Sequence, residues 1–130
     1  MVGTHDVAPV TPADYRRLAE RRLPRFLFDY IDGGANDELT MAANLADFAS
    51  MKLRQRVMRD VSGVDTSTVL AGRKVAMPVA LAPVGMAGMF SRRGEVMGLR
   101  AANQAGIPFT LSTLGVCTME ELRAASPAPF

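Results

Sequence analysis

Few side chains in this sequence could make or break a bond, and their spacing limits the chemistry they could do. The only histidine is His5 and the only cysteine is Cys117. His5 falls in a tail, residues 1–10, that carries no element signal and reads as flexible. Cys117 has no partner for an internal disulfide, fits a reducing compartment, and is better read as a small buried hydrophobe than as a catalytic thiol. One histidine, one cysteine and scattered acids give no metal-ligand set with usable spacing. The glycines at 85, 88 and 94 match neither G-x-G-x-x-G nor a P-loop. What remains is hydroxyl and backbone chemistry. Pro83-Val84-Gly85 ends one apolar run, Ser112-Thr113-Leu114 ends another, and Tyr30 has a helical apolar face as its structural reading. Groups of this kind bind and orient a ligand.

The elements that would position them follow from local signals. Thr11-Pro12-Ala13-Asp14 places an N-cap before a proline and an acid in the first turn, with Val10 and Tyr15 at hydrophobic-staple spacing, so a helix is expected over about 12–22. Pro24 restarts the chain into a helix whose Leu27, Tyr30 and Ile31 share a face, and Gly33-Gly34 stops it. Asn36, Asp37 and Glu38 are expected to cap a third helix with apolar spacing from Leu39 to Ala49. The pattern changes after residue 50. STVLAGRKVAMP reads as a hairpin turning at Ala71-Gly72-Arg73. An apolar run at 79–83 then reads as a strand buried on both faces. It is followed by a helix from about Arg93 to Ala105 stopped by Gly106, a second strand in PFTLST, and a helix opened by a capping box at Thr118-Met119-Glu120-Glu121. Apolar strands alternating with helices are the signature of parallel βα units, whose ligands gather at the strand C-termini. Gly85 and Gly88 would let backbone approach a flat ligand there, and Ser112 or Thr113 could hydrogen-bond it.

Composition narrows the function further. With 130 residues, 48% hydrophobic and 22% charged, the chain has the make-up of a globular domain rather than a disordered one. Fifteen Lys+Arg against 13 Asp+Glu leave a net charge of +2, which gives no electrostatic case for nucleic acid. The arginines at 16, 17, 21, 22 and 25 are read as the solvated face of a helix. No apolar stretch approaches the roughly 20 residues that span a bilayer, and the N-terminus lacks a signal peptide's pattern. A cytoplasmic protein is the expectation.

In order and spacing, YRRLAERRLPRFLFDYIDGGANDE, LRQRVMRDVS, MPVALAPVGMAGMFSRRGE and AGIPFTLSTLGVCTMEEL resemble the N-terminal part of the FMN-dependent α-hydroxy-acid dehydrogenases. RRGE with GIPFTLST resembles in particular the bacterial quinone-linked L-lactate branch. The resemblance implies an α/β fold: the N-terminal part of a (β/α)8 TIM barrel, comprising a helical extension, a β-hairpin and the first two βα units. Residues 11–130 would then be an incomplete barrel. FMN is implied as cofactor, oxidation of an L-2-hydroxy acid such as lactate as reaction, and a quinone or other acceptor and homo-oligomeric assembly at full length as partners. Attachment to the inner face of the membrane depends in that branch on a later loop.

By the same resemblance Tyr30 binds the substrate carboxylate, and Leu114 lines the substrate side. Pro83, Val84 and Gly85 pack beside the flavin ring, and Ser112 contacts FMN. The base, the arginines that hold the carboxylate and the lysine that holds the reduced flavin belong to later strands, so the catalytic set is empty here. A full eight-stranded barrel takes roughly 250 residues, and the text stops where a third strand is expected, as a piece of a longer protein would. The competing readings are a non-catalytic barrel fragment or interaction module, and another FMN barrel such as a type 2 isopentenyl-diphosphate isomerase. The latter is disfavoured by the Tyr30 helix and the hairpin.

Overall fold

In a computed structural model, residues 8–130 are described and fall into two compact units, one ending at Gln55 and one running from Arg56 to Phe130. His5 lies outside the described residues.

The first unit is helical. Helix α1, Pro12–Arg22, begins with a complete capping box: Asp14 N–H donates to Thr11 Oγ1 at 3.3 Å, and Thr11 N–H returns a bond to Asp14 Oδ2 at 2.8 Å. Donations to Asp14 Oδ2 from Thr11 N–H, from the Thr11 hydroxyl at 2.8 Å and from Val10 N–H hold the Asp14 carboxyl down at about 2. Val10 and Tyr15 are both exposed, so the expected hydrophobic staple gives way to hydrogen bonding at this end. Pro24 opens helix α2, Arg25–Asp32, as expected, and Gly33 closes it.

Arg16 Nε and Nη2 reach Asp32 at 2.5 and 2.6 Å, and its guanidinium lies 5.6 Å from the Phe28 ring centroid, which joins α1 to α2. Arg17 pairs with Asp14, and Arg25 with Asp29 at 3.5 Å. Members of the basic cluster are therefore engaged locally, as a solvated helix face would be. On α2 only Leu27 is buried, so the expected three-residue apolar face is confined to one residue. Helix α3, Leu39–Ser50, forms where its spacing predicts, but the expected side-chain cap is absent. Glu38 sits at the N-cap in the left-handed region and spends its carboxylate on Gly34 N–H, at 3.0 Å.

The second unit opens with the hairpin. Strand β1, Thr68–Leu70, pairs antiparallel with β2, Arg73–Val75, through Ala71 and Gly72, both at positive φ. That is the backbone signature of a turn whose twist matches the strands. Two further segments meet only at Leu81 and Phe109, in a parallel bridge carried by Leu81 N–H to Pro108 O at 2.9 Å and Thr110 N–H to Leu81 O at 3.1 Å. The run 79–83 was expected to be buried on both faces; instead it is exposed. Among the described residues its hydrogen-bonded neighbour lies on one edge alone, and both of its faces stay uncovered.

Between the bridged segments come a single-turn helix α4, Ala87–Phe90, and helix α5, Gly94–Ala105, which ends at Gly106 with φ +67°. A Cβ there would stand 2.9 Å from Ala76 Cβ, so position 106 needs glycine for conformation and for space. Helix α6, Met119–Ala125, carries the predicted capping box: Thr118 N–H donates to Glu121 Oε2 at 2.8 Å and Glu121 N–H to Thr118 Oγ1 at 3.2 Å.

The core of this unit is Val96, Leu99, Cys117 and Leu122, with Phe109, Leu111, Ala125 and Phe130 packed against it. The burial of Cys117 agrees with its reading as a small hydrophobe. Because Leu99 is fully buried between α5 and α6, Leu99→Ala is expected to cost about 2–5 kcal/mol, seen as a lower urea midpoint of the chain.

Candidate functional site

The parallel bridge brings the two predicted strand ends side by side. Beyond it the connection continues: Met86 N–H donates to Leu114 O at 2.9 Å, tying the segment after Pro83-Val84-Gly85 to the segment after Ser112. Met86 holds a left-handed conformation, φ +54°, to make this turn. A non-glycine residue in that region costs roughly 1–3 kcal/mol, which the surrounding bonds must offset. Val84 and Leu114 are exposed, at 46% and 64%. Among the described residues the backbone N–H groups of Val84 and Gly85 donate to no acceptor.

Ser112 is more constrained than its position suggests. Its Oγ accepts from Leu114 N–H at 3.1 Å, and Gly115 N–H donates to Ser112 O at 2.9 Å, so the residue shapes its own turn. The hydroxyl hydrogen remains a donor for a ligand. A depression of about 540 Å³ opens beside Ser112, lined among others by Thr110, Leu111, Thr113 and Phe130, but Val84, Gly85 and Leu114 do not line it. The strand ends thus form an open wall rather than a closed pocket. Tyr30 sits on α2 in the other unit, half-exposed at 51%.

Gly88 is not a close-approach point for a ligand, as its place in the sequence suggests. A Cβ there would meet Val116 Cβ at 2.8 Å and Glu95 Oε2 at 3.0 Å, so the space is taken by the protein itself. The residue that fills it is one that sequence reasoning missed. Glu95, in the first turn of α5, is 2% exposed, and its Oε1 accepts from Gly88 N–H at 3.0 Å and from Val116 N–H at 2.8 Å. Oε2 is buried and makes no hydrogen bond of normal geometry. A signal was present: Glu95, Leu99 and Ala102 fall at i, i+4 and i+7, which puts a carboxylate on the buried stripe of the helix. An acid there must have partners.

Burial pushes the Glu95 carboxyl up, but the N–H groups of Val116, of Glu95 itself and of Gly88, with the Cys117 thiol, outweigh burial and hold it below its ordinary range. Burial first, and then the Glu95 carboxylate, push the Cys117 thiol up, so it is a poor nucleophile. Hydrogen bonds to a charged group are worth about 1.5–3 kcal/mol, and stranding either N–H would cost a comparable amount.

A family model described as FMN-dependent dehydrogenase matches residues 19–130. The chain belongs to that family. Over 117 residues it is 62% identical to an L-lactate dehydrogenase of Caulobacter vibrioides, covering 90% of this chain and 30% of that protein. Among solved structures, a mandelate oxidase superposes with a TM-score of 0.80 at 36% identity, over 91% of this chain and 34% of the other. A soluble mutant of the membrane-associated (S)-mandelate dehydrogenase from Pseudomonas putida does so with 0.77 at 36% identity, over 86% and 32%. The chain therefore spans about 30% of the length of the curated relatives it matches. Among its described residues no helix is long and apolar enough to cross a membrane, and no group of three or more metal-ligating side chains occurs.

The lowered pKa of Glu95 gives a signed pH dependence. A carboxyl whose folded pKa lies below its unfolded one stabilises above the unfolded pKa and loses that contribution as pH falls through the folded value. Asp14, Asp32 and Glu120 are also lowered, so the difference between Glu95 and Glu95→Gln isolates this group from them. Cys117, with Arg93 and Glu121 acting on it, stays uncharged throughout the acid range. The stability advantage of Glu95 over Glu95→Gln, read from urea midpoints, should be full near neutral pH and shrink as the pH falls through and below the ordinary glutamate range.

Proposed function

We propose that this chain forms the flavin-side wall and part of the substrate site of an FMN-dependent L-2-hydroxy-acid dehydrogenase with a (β/α)8 barrel, acting on L-lactate to give pyruvate. The observation that carries this reading is the pair of unspent backbone donors, Val84 N–H and Gly85 N–H, at the end of a bridged segment tied to the Ser112 turn. Fixed donors of this kind suit the edge of a flat ring that takes up electron density, because they need no reorganisation when the charge arrives. When bound, FMN supplies the two-electron acceptor for the substrate's α-hydrogen.

The roles of the residues follow from this. Pro83, Val84 and Gly85 lie against the ring with backbone rather than bulky side chain, and the Ser112 hydroxyl donates to the cofactor. Leu114, exposed beside them, lines the substrate side. Tyr30 gives its hydroxyl to the substrate carboxylate, a neutral hydrogen bond that fixes which face of the substrate meets the ring.

The proton lost from the substrate hydroxyl needs a base from outside this set. Glu95 is unsuited, since its Oε1 is occupied, the residue is buried, and its pKa is held low. The exposed apolar residues of α3 and of the segment 79–84 are consistent with a larger barrel that covers them. A quinone-class acceptor, homo-oligomeric assembly and peripheral attachment to the inner membrane face belong to the same reading.

The test joins this chain to the remaining C-terminal part of the Caulobacter vibrioides enzyme. The joined protein should be yellow and oxidise L-lactate, whereas the 130-residue chain alone should show no turnover. Turnover by the pure chain would overturn the assignment of the base to another segment. In the joined enzyme Tyr30→Phe should raise KM for L-lactate by about ten-fold, the worth of one hydrogen bond to a charged group, while FMN affinity is unchanged.

A further inference from the structure

We propose that Glu95 is a positioning residue for the flavin: by gripping both loops that follow the bridged segments, it sets the spacing and orientation of the wall on which the cofactor lies. The inference rests on the flavin-side reading above. Its basis is geometric. One oxygen of one buried carboxylate accepts from Gly88, three residues beyond Gly85, and from Val116, two residues beyond Leu114. The two N–H groups lie 28 positions apart in the chain, so no local turn could fix their separation; a shared acceptor does.

The neighbourhood leaves the grip little room to move. Gly88 has no space for a Cβ against Val116 and Glu95 Oε2. Between the bridge at Leu81 and Phe109 and the carboxylate, Met86 N–H to Leu114 O supplies the middle tie. The candidate wall is therefore bounded by hydrogen bonds on both sides, and Val84, Gly85 and Ser112 lie between them. Glu95 itself is buried and touches no ligand position. It acts through the loops, as buried partners of ligand-contacting groups do elsewhere.

Reach and charge are separable here. Glu95→Gln keeps the length and the accepting oxygen but removes the charge, whereas Glu95→Asp keeps the charge and is one methylene too short to serve both N–H groups. Leu99→Ala is the stability control, since it removes a core contact of the same helix but neither hydrogen bond to the carboxylate. All three are made in the enzyme completed with the Caulobacter vibrioides remainder, with FMN dissociation constants from flavin fluorescence and stability from urea midpoints.

Positioning predicts that Glu95→Asp weakens FMN binding by about ten-fold or more, the effect of one lost bond to a charged acceptor, with a changed flavin absorption band. Glu95→Gln should stay within about three-fold of the parent, as should Leu99→Ala despite its loss of stability. Unchanged FMN affinity in Glu95→Asp, or equal weakening in Leu99→Ala at equal loss of stability, would overturn the proposal by making Glu95 merely structural. If Glu95→Asp fails to fold, Gly88→Ala, whose Cβ would press on Val116 and on Glu95 Oε2, takes its place: FMN binding weakened by about ten-fold upholds the proposal, and unchanged FMN affinity overturns it. An unsubstituted joined enzyme that binds no FMN would overturn the flavin-side reading itself, and this inference with it.

Discussion

A single buried carboxylate oxygen receives two backbone N–H groups, and much of the second unit can be read as a consequence. Placing a carboxylate out of water is costly, and the cost is tolerated only where donors converge on it. Gly88 and Val116 provide them, which brings the two loops after the bridged segments together on one oxygen. Gly88 cannot carry a side chain, Met86 must enter the left-handed region, and Val116 must sit against Gly88. The helix that delivers Glu95 packs its next turns, Leu99 and Ala102, into the core with Leu122 of α6. The apolar core and the polar grip are therefore two ends of one helix face.

Such an arrangement suits a cofactor wall. A ligand held by backbone groups takes its precision from how rigidly the backbone is held, because no side-chain rotamer can correct an error. In this unit the rigidity comes from a ladder rung at Leu81 and Phe109, a loop tie at Met86 and Leu114, and the carboxylate grip beyond. In the proposed site Ser112 and Leu114, which differ in polarity, would sort cofactor from substrate.

The parts of the fold legible in the sequence are those decided within a few residues. Both capping boxes, at Thr11 and Thr118, the restart at Pro24, the Ala71-Gly72 turn and the stop at Gly106 are settled by local sterics and by donors three positions away. The cap of α3 is not legible locally, because Glu38 has two possible uses and bonds Gly34. The exposure of 79–83 is not legible either, because an apolar run states only that it can be buried, and what covers it is decided elsewhere. Of the candidate site, the side-by-side placing of the two apolar runs was legible, though they meet in a single parallel bridge and not as full strands, whereas Glu95 was not, since its partners belong to loops far apart in sequence. The ligand and its chemistry came from the match of motifs in register, which periodicity cannot supply.

The position of the flavin against this chain is decisive. A crystal structure of the FMN-loaded enzyme, completed with the remainder of the Caulobacter vibrioides protein, is predicted to place the ring in van der Waals contact with Pro83, Val84 and Gly85. It should also show a backbone N–H of this segment, and the Ser112 hydroxyl, donating to the cofactor. A flavin bound away from these strand ends, or a wall in which Gly88 and Val116 no longer share the Glu95 carboxylate, would contradict it.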